Sequence, residues 1–142
     1  MEPHVINTKV GTTHINLSPK LFHAYAIQYI ECRHSFMTEA SNSPVPYFLI
    51  CRAIELELKA KHLESKSRSD VKNDYGHNLK RSYDELPDRK LNRQEYVVLS
   101  HASDIYKDKG FEYATVIDAV TGLKDFPDLA VLEQIATKLI EE

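Results

Sequence analysis

The sequence predicts an all-α fold, an up-and-down bundle of four to five helices preceded by a short N-terminal β-arm or hairpin. Apolar residues beyond position 17 recur at alternating spacings of three and four, the period of a helix with one buried face. Ser-Pro, Asn-Ser-Pro and Asn-x-x-Glu signals stand where those stretches begin. Runs of β-branched residues are confined to the start of the chain and to residues 111–121. With 142 residues and 42% hydrophobic content, the chain suffices for one core. The expected organisation is an arm at residues 1–17 and one helical domain at 18–142.

The arm holds Val5, Ile6, Thr8 and Val10, then Gly11-Thr12, then Thr13, Ile15 and Leu17, which suits a hairpin or an extended segment. Ser18-Pro19 opens the first helix, with Leu17 and Phe22 placed as a hydrophobic staple. Its stripe is Phe22, Tyr25, Tyr29, Cys32 and Phe36, and it is expected to end near Ala40. Asn42-Ser43-Pro44 repeats the start signal before the most apolar stretch, residues 47–63. Leu49, Ala53, Leu56, Ala60 and Leu63 form one stripe there, and Ile50, Cys51, Ile54 and Leu58 another beside it. That helix is expected to be buried on two sides.

Residues 65–74 read as a charged loop, and Tyr75-Gly76-His77-Asn78 as the opening of a short helix carrying Leu79, Tyr83 and Leu86, closed by Pro87. Asn92 and Glu95 have capping-box spacing and begin a helix running to Lys109, with Gly110 as its stop. Residues 111–121 fit an irregular segment, a helical turn or a short strand that would pair with the arm. Pro127 opens the last helix, with Leu129, Leu132, Ala136 and Leu139 on one face.

Composition excludes several functions. No run approaches the roughly 18 apolar residues of a membrane span, and residues 1–4 lack the pattern of a secretory signal, so a cytoplasmic location is expected. Cys32 and Cys51 lie inside helical patterns without ligand-spaced partners, and none of the seven histidines forms an i, i+4 pair, so no metal and no cofactor is implied. Only four glycines occur and none belongs to a phosphate-binding loop signature. The formal charge of −3 is unevenly spread: residues 1–58 carry −1, 59–81 carry +4, 82–111 carry −1 and 112–142 carry −5. The basic stretch marks either an anion-binding face or a charged loop between helices.

Two groups of residues carry candidate chemistry. On the two-sided helix, Arg52, Glu55, Lys59 and His62 form a narrow polar ribbon, either a solvated ion-pair ladder or a ligand-binding face. His77 follows a glycine near a helix start, where it would serve as an acid, a base or a phosphate contact, or else pack against the two-sided helix. Arg93 and His101 lie eight residues apart on the best-delimited helix, two turns apart and offset by about 80°.

Ala53, Glu55, Leu58, Lys59 and Ala60, then His77 and Leu79 after a charged segment, resemble the motifs of the HEPN superfamily, "A-x-E-x-x-L-K-A" followed by "H-x-L". The name stands for higher eukaryotes and prokaryotes nucleotide-binding. The resemblance implies a bundle of four or five helices, dimerisation, and roles in prokaryotic defence, toxin–antitoxin or RNA-processing systems. Many such proteins are metal-independent ribonucleases with an Arg and a His four to six residues apart late in the domain. Here the nearest pair, Arg93 and His101, has seven residues between. The expectation is therefore a non-catalytic protein binding nucleotide, RNA or a partner, through Arg52, Glu55, Lys59 and His77. A ribonuclease toxin using Arg93 and His101 and a scaffolding subunit are the alternatives. The partners implied are RNA or a nucleotide, a second copy, or a protein encoded nearby, without membrane or metal.

Overall fold

A computed structural model describes residues 7–10, 13–16, 18–38, 42–113, 118 and 122–141. Its six described helices are α1 (Ser18–Ser35), α2 (Val45–His62), α3 (Arg68–Tyr75), α4 (Leu79–Asp84), α5 (Arg93–Lys107) and α6 (Leu129–Ile140). The fold is the all-α bundle the periodicity predicts. The arm is a hairpin of β1 (Asn7–Val10) and β2 (Thr13–Asn16), antiparallel with Asn7 opposite Asn16 and Val10 opposite Thr13.

Helix α2 is the axis of the bundle, packing against α1, α4, α5 and α6. Its two predicted stripes enter two separate cores. Leu56, Ala60 and Leu63 join Phe22 and Ala26 of α1 and Val71 and Tyr75 of α3. Ile50, Cys51, Ile54 and Leu58 join Leu79 and Tyr83 of α4, Leu99 and Tyr106 of α5, and Leu132 and Ile135 of α6. Each large aliphatic side chain fully buried there contributes roughly 1.5–3 kcal/mol of transfer free energy.

Helix ends follow the sequence with local shifts. The Asn92–Glu95 capping box is present at the start of α5. At α2 the cap moves: Pro44 precedes the first turn without a side-chain bond to it, and the Val45 N–H donates to Ser43 Oγ instead. Helix α1 stops at Ser35 rather than near Ala40, and residues 39–41 lie outside the described region. The Ser35 hydroxyl turns back onto the carbonyls of Glu31 and Cys32, and the expected stripe fades, leaving Cys32 exposed. Helix α6 begins at Leu129 behind Asp128, whose side chain accepts from the Val131 N–H.

The charged stretch 65–74, expected as a loop, contains α3 instead. Ser67 caps it by accepting from the Asp70 N–H, and Val71 and Tyr75, one turn apart, are its two buried anchors. Residues 75–78 lead into the expected short helix, but they also close the one before it. Tyr75 ends α3, Gly76 at φ 50° closes it with a bond from its N–H to the Lys72 carbonyl, and Asn78 caps α4. His77 therefore sits in the link between two helices.

The stop after α5 also differs from expectation. The Lys109 N–H reaches the Tyr106 carbonyl and the Gly110 N–H reaches the Ile105 carbonyl, a Schellman closure whose left-handed residue is Lys109, at φ 62°, and not the glycine. Gly110 is needed for space, because a Cβ there would fall 2.5 Å from Ile105 Cγ2. Lys109→Gly is expected to raise stability by about 0.5–1 kcal/mol and Gly110→Ala to lower it, both read as shifts of the urea midpoint at constant slope. Phe111 is buried between Tyr47 and Phe126. Most of residues 112–121, and with them the expected strand, lie outside the described region.

Candidate functional site

The polar ribbon of α2 is not a solvated ladder. Glu55 is 3% exposed and His62 4% exposed, because α3 and the α3–α4 link lie over that face. His62 donates from Nε2 to the Ser82 carbonyl at 2.7 Å and stacks on the Tyr75 ring, so it serves to hold α3 and α4 against α2. Glu55, about two turns before it, is the centre of a network.

Its two oxygens accept from four donors. Oε1 takes the His77 Nδ1–H at 2.5 Å and the Tyr106 hydroxyl at 3.0 Å. Oε2 takes Arg52 Nη1 at 2.7 Å and Lys59 Nζ at 3.5 Å. Burial alone would push the Glu55 carboxyl up, but the His77 hydrogen bond and the charges of Lys59 and Arg52 outweigh it and hold the group below the usual carboxylate range. Burial and the same carboxylate push the Tyr106 hydroxyl far up, so it stays a neutral donor. An ionised carboxylate only accepts, which places the proton of a neutral His77 on Nδ1.

Beside this network lies a cavity of about 630 Å³ lined by residues of α1, α2, α3 and the α3–α4 link. Phe22, Leu56 and Leu63 form its apolar wall. Arg52 and Lys59 reach it from α2, Arg68 and Lys72 from α3, and His77 from the link, with Glu55 at the back. Among the described residues, four Lys and Arg side chains thus face a single carboxylate, one that already has four donors. Such a site favours an anion, and its low-dielectric wall strengthens that preference. A second hollow, of about 470 Å³ near Phe36, Met37 and Leu129, has one cation among its described residues, Arg33, which is paired with Glu133 at 2.7 Å.

The four residues expected to form a ligand site, Arg52, Glu55, Lys59 and His77, are brought together here. Arg93 and His101 are not: both are exposed on α5, about 12 Å apart along the helix axis, and neither lines this cavity. Sequence reasoning misses Arg68 and Lys72, because α3 is hidden in a segment that reads as a loop. The +4 charge of residues 59–81 is the signal that points to them. It also misses Tyr106, which is indistinguishable by periodicity from the core residues of its helix. Among the described residues no group of three or more His, Cys, Asp or Glu side chains is placed to hold a metal ion. None of the described helices is long and apolar enough to cross a membrane. Comparison of the chain with family models, with curated proteins and with solved structures returns no match.

Proposed function

We propose that the protein is a non-catalytic, HEPN-like binding module that takes a phosphorylated ligand of nucleotide size in the cavity between α1, α2 and α3. The observation that carries this reading is the convergence of Arg52, Lys59, Arg68 and Lys72 on one hollow whose only carboxylate among the described residues is already saturated with donors. Lys and Arg supply donors suited to phosphate oxygens, and Phe22, Leu56 and Leu63 supply an apolar wall suited to a base or sugar face. The volume favours a free nucleotide over an RNA chain, since about 630 Å³ falls within the range of small-molecule pockets, ~300–1,000 Å³. The placement of the HEPN-like residues Glu55, Lys59 and His77 around the same hollow supports the family reading. The ribonuclease alternative finds less support, because Arg93 and His101 are two turns apart on one helix.

Isothermal titration of the whole chain with nucleoside mono-, di- and triphosphates tests the proposal. Lys59→Ala and Lys72→Ala are each expected to weaken binding about tenfold, the effect of one lost charge-assisted contact. Absence of binding to wild-type protein at millimolar nucleotide overturns it.

A further inference from the structure

The cavity's donors and acceptors are unequal. Arg52, Lys59, Arg68 and Lys72 can only donate, and the oxygens of Glu55 are occupied by four donors. Among the described residues, the side-chain acceptors left to a ligand are the Ser69 hydroxyl and the second nitrogen of His77. Nδ1 of that imidazole is engaged by Glu55, so in the neutral ring Nε2, on the opposite edge, carries the lone pair. The ring is half exposed, with side-chain accessibility of 52%, and no protein group bonds Nε2 among the described residues. Its orientation is held by the 2.5 Å bond to Glu55 and by an edge-on contact with the Tyr106 ring at 5.9 Å between centroids. A carboxylate that fixes one nitrogen and presents the other is the arrangement that makes a histidine a directed acceptor.

We infer that His77 is a specificity-determining residue of this pocket, its Nε2 accepting a hydrogen bond from a ribose hydroxyl of a ligand whose phosphates are held by the four cations. The inference rests on the nucleotide reading above and adds a preference for nucleotides that keep that hydroxyl. The groups facing the imidazole suit this role. Arg52 and Lys59 on α2 and Arg68 and Lys72 on α3 meet the phosphate charge, while Glu55 and the neutral Tyr106 hydroxyl stand behind the ring. A phosphate needs no acceptor, whereas a sugar hydroxyl beside it donates and does.

The test is titration of the whole chain with ADP and GDP and with the 2′-deoxy and 3′-deoxy forms of each. Wild-type protein is expected to bind the ribose forms about three- to tenfold more tightly than at least one deoxy form, the worth of one neutral hydrogen bond. His77→Phe is expected to bind all forms alike, while Ser69→Ala keeps the preference. Both variants change exposed residues: Ser69→Ala is expected to keep the Tm, His77→Phe loses a donor to Glu55 and is expected to lower it, and a single cooperative melt above the assay temperature verifies that each folds. Ribose and deoxy forms bound within twofold by wild-type protein overturn the inference and leave the nucleotide reading standing. The inference also falls if His77→Phe weakens both forms equally, which would make the imidazole a phosphate contact, or if Ser69→Ala alone removes the preference. No binding by any diphosphate overturns both readings.

Discussion

Glu55→Ala is expected to lower the folding stability by about 3 kcal/mol. The carboxylate is 3% exposed and answers four donors from three elements of the fold, α2, the α3–α4 link and α5. Removing one partner of a buried charge pair costs roughly 3–5 kcal/mol when the other is left without solvent. Here the side chains of Arg52 and Lys59 keep 30% and 13% of their accessibility and partly rehydrate, which sets the expectation at the lower end. The buried Tyr106 hydroxyl has no such escape and loses its acceptor. Glu55→Gln preserves shape and one acceptor oxygen and is expected to cost about half as much. The pH dependence has a definite sign. The folded-state carboxyl is held below its unfolded value, so its contribution is present above the unfolded carboxylate pKa of about 4.3 and is lost as the pH falls through the folded value. Urea melts at pH 7 and in acid check this: the gap between wild type and Glu55→Gln shrinks in acid. An alanine variant as stable as wild type at pH 7 would sink the argument that this network is built around an ionised group.

The legible parts of this molecule are those where many residues repeat one signal. The two stripes of α2 contain nine apolar positions at helical spacing, and seven of them enter two separate cores. The capping box of α5 is legible because Asn92 and Glu95 are a local device whose geometry needs nothing beyond its own turn. Helix α3 is hidden for the opposite reason. Two anchors, Val71 and Tyr75, are too few to show a period among charged neighbours, and its stability comes from packing on Leu63 and Ala60 rather than from its own sequence. The site inherits that division. Its α2 residues and His77 are found by motif and spacing, whereas Arg68 and Lys72 can be placed only once the chain is known to turn back over α2. The +4 stretch announces a charged face without saying that it folds inward toward one buried carboxylate. Lys109 makes the same point at a single residue: a left-handed lysine is adopted because α5 and Phe111 require the closure, against the local preference that singles out Gly110.

Glu95→Ala is expected to be the second most damaging polar substitution, costing about 2–4 kcal/mol, through the joint between α5 and α6. The Glu95 side chain is fully buried, although it sits in the first turn of its helix, where capping glutamates are ordinarily wet. Oε1 accepts from the Asn92 N–H at 2.8 Å, closing the capping box, and from Lys138 Nζ at 2.8 Å on α6. Oε2 accepts from Gln134 Nε2 at 2.8 Å. One side chain therefore starts α5 and ties it to the last helix. Burial would push this carboxyl up, but Lys138, the Asn92 N–H and Gln134 outweigh it and hold the group low, so its contribution too is lost in acid. A cap alone is worth about 1 kcal/mol, so the size of the effect separates the two roles. A double-mutant cycle with Lys138→Met measures the tie directly. Lys138 is 38% exposed and rehydrates when released, which limits the expected coupling to about 1 kcal/mol. A total cost near 1 kcal/mol with no coupling to Lys138 would reduce Glu95 to an ordinary cap. A larger cost with measurable coupling makes the α5–α6 joint dependent on a buried charge, and the bundle should then loosen at that joint first as the pH is lowered.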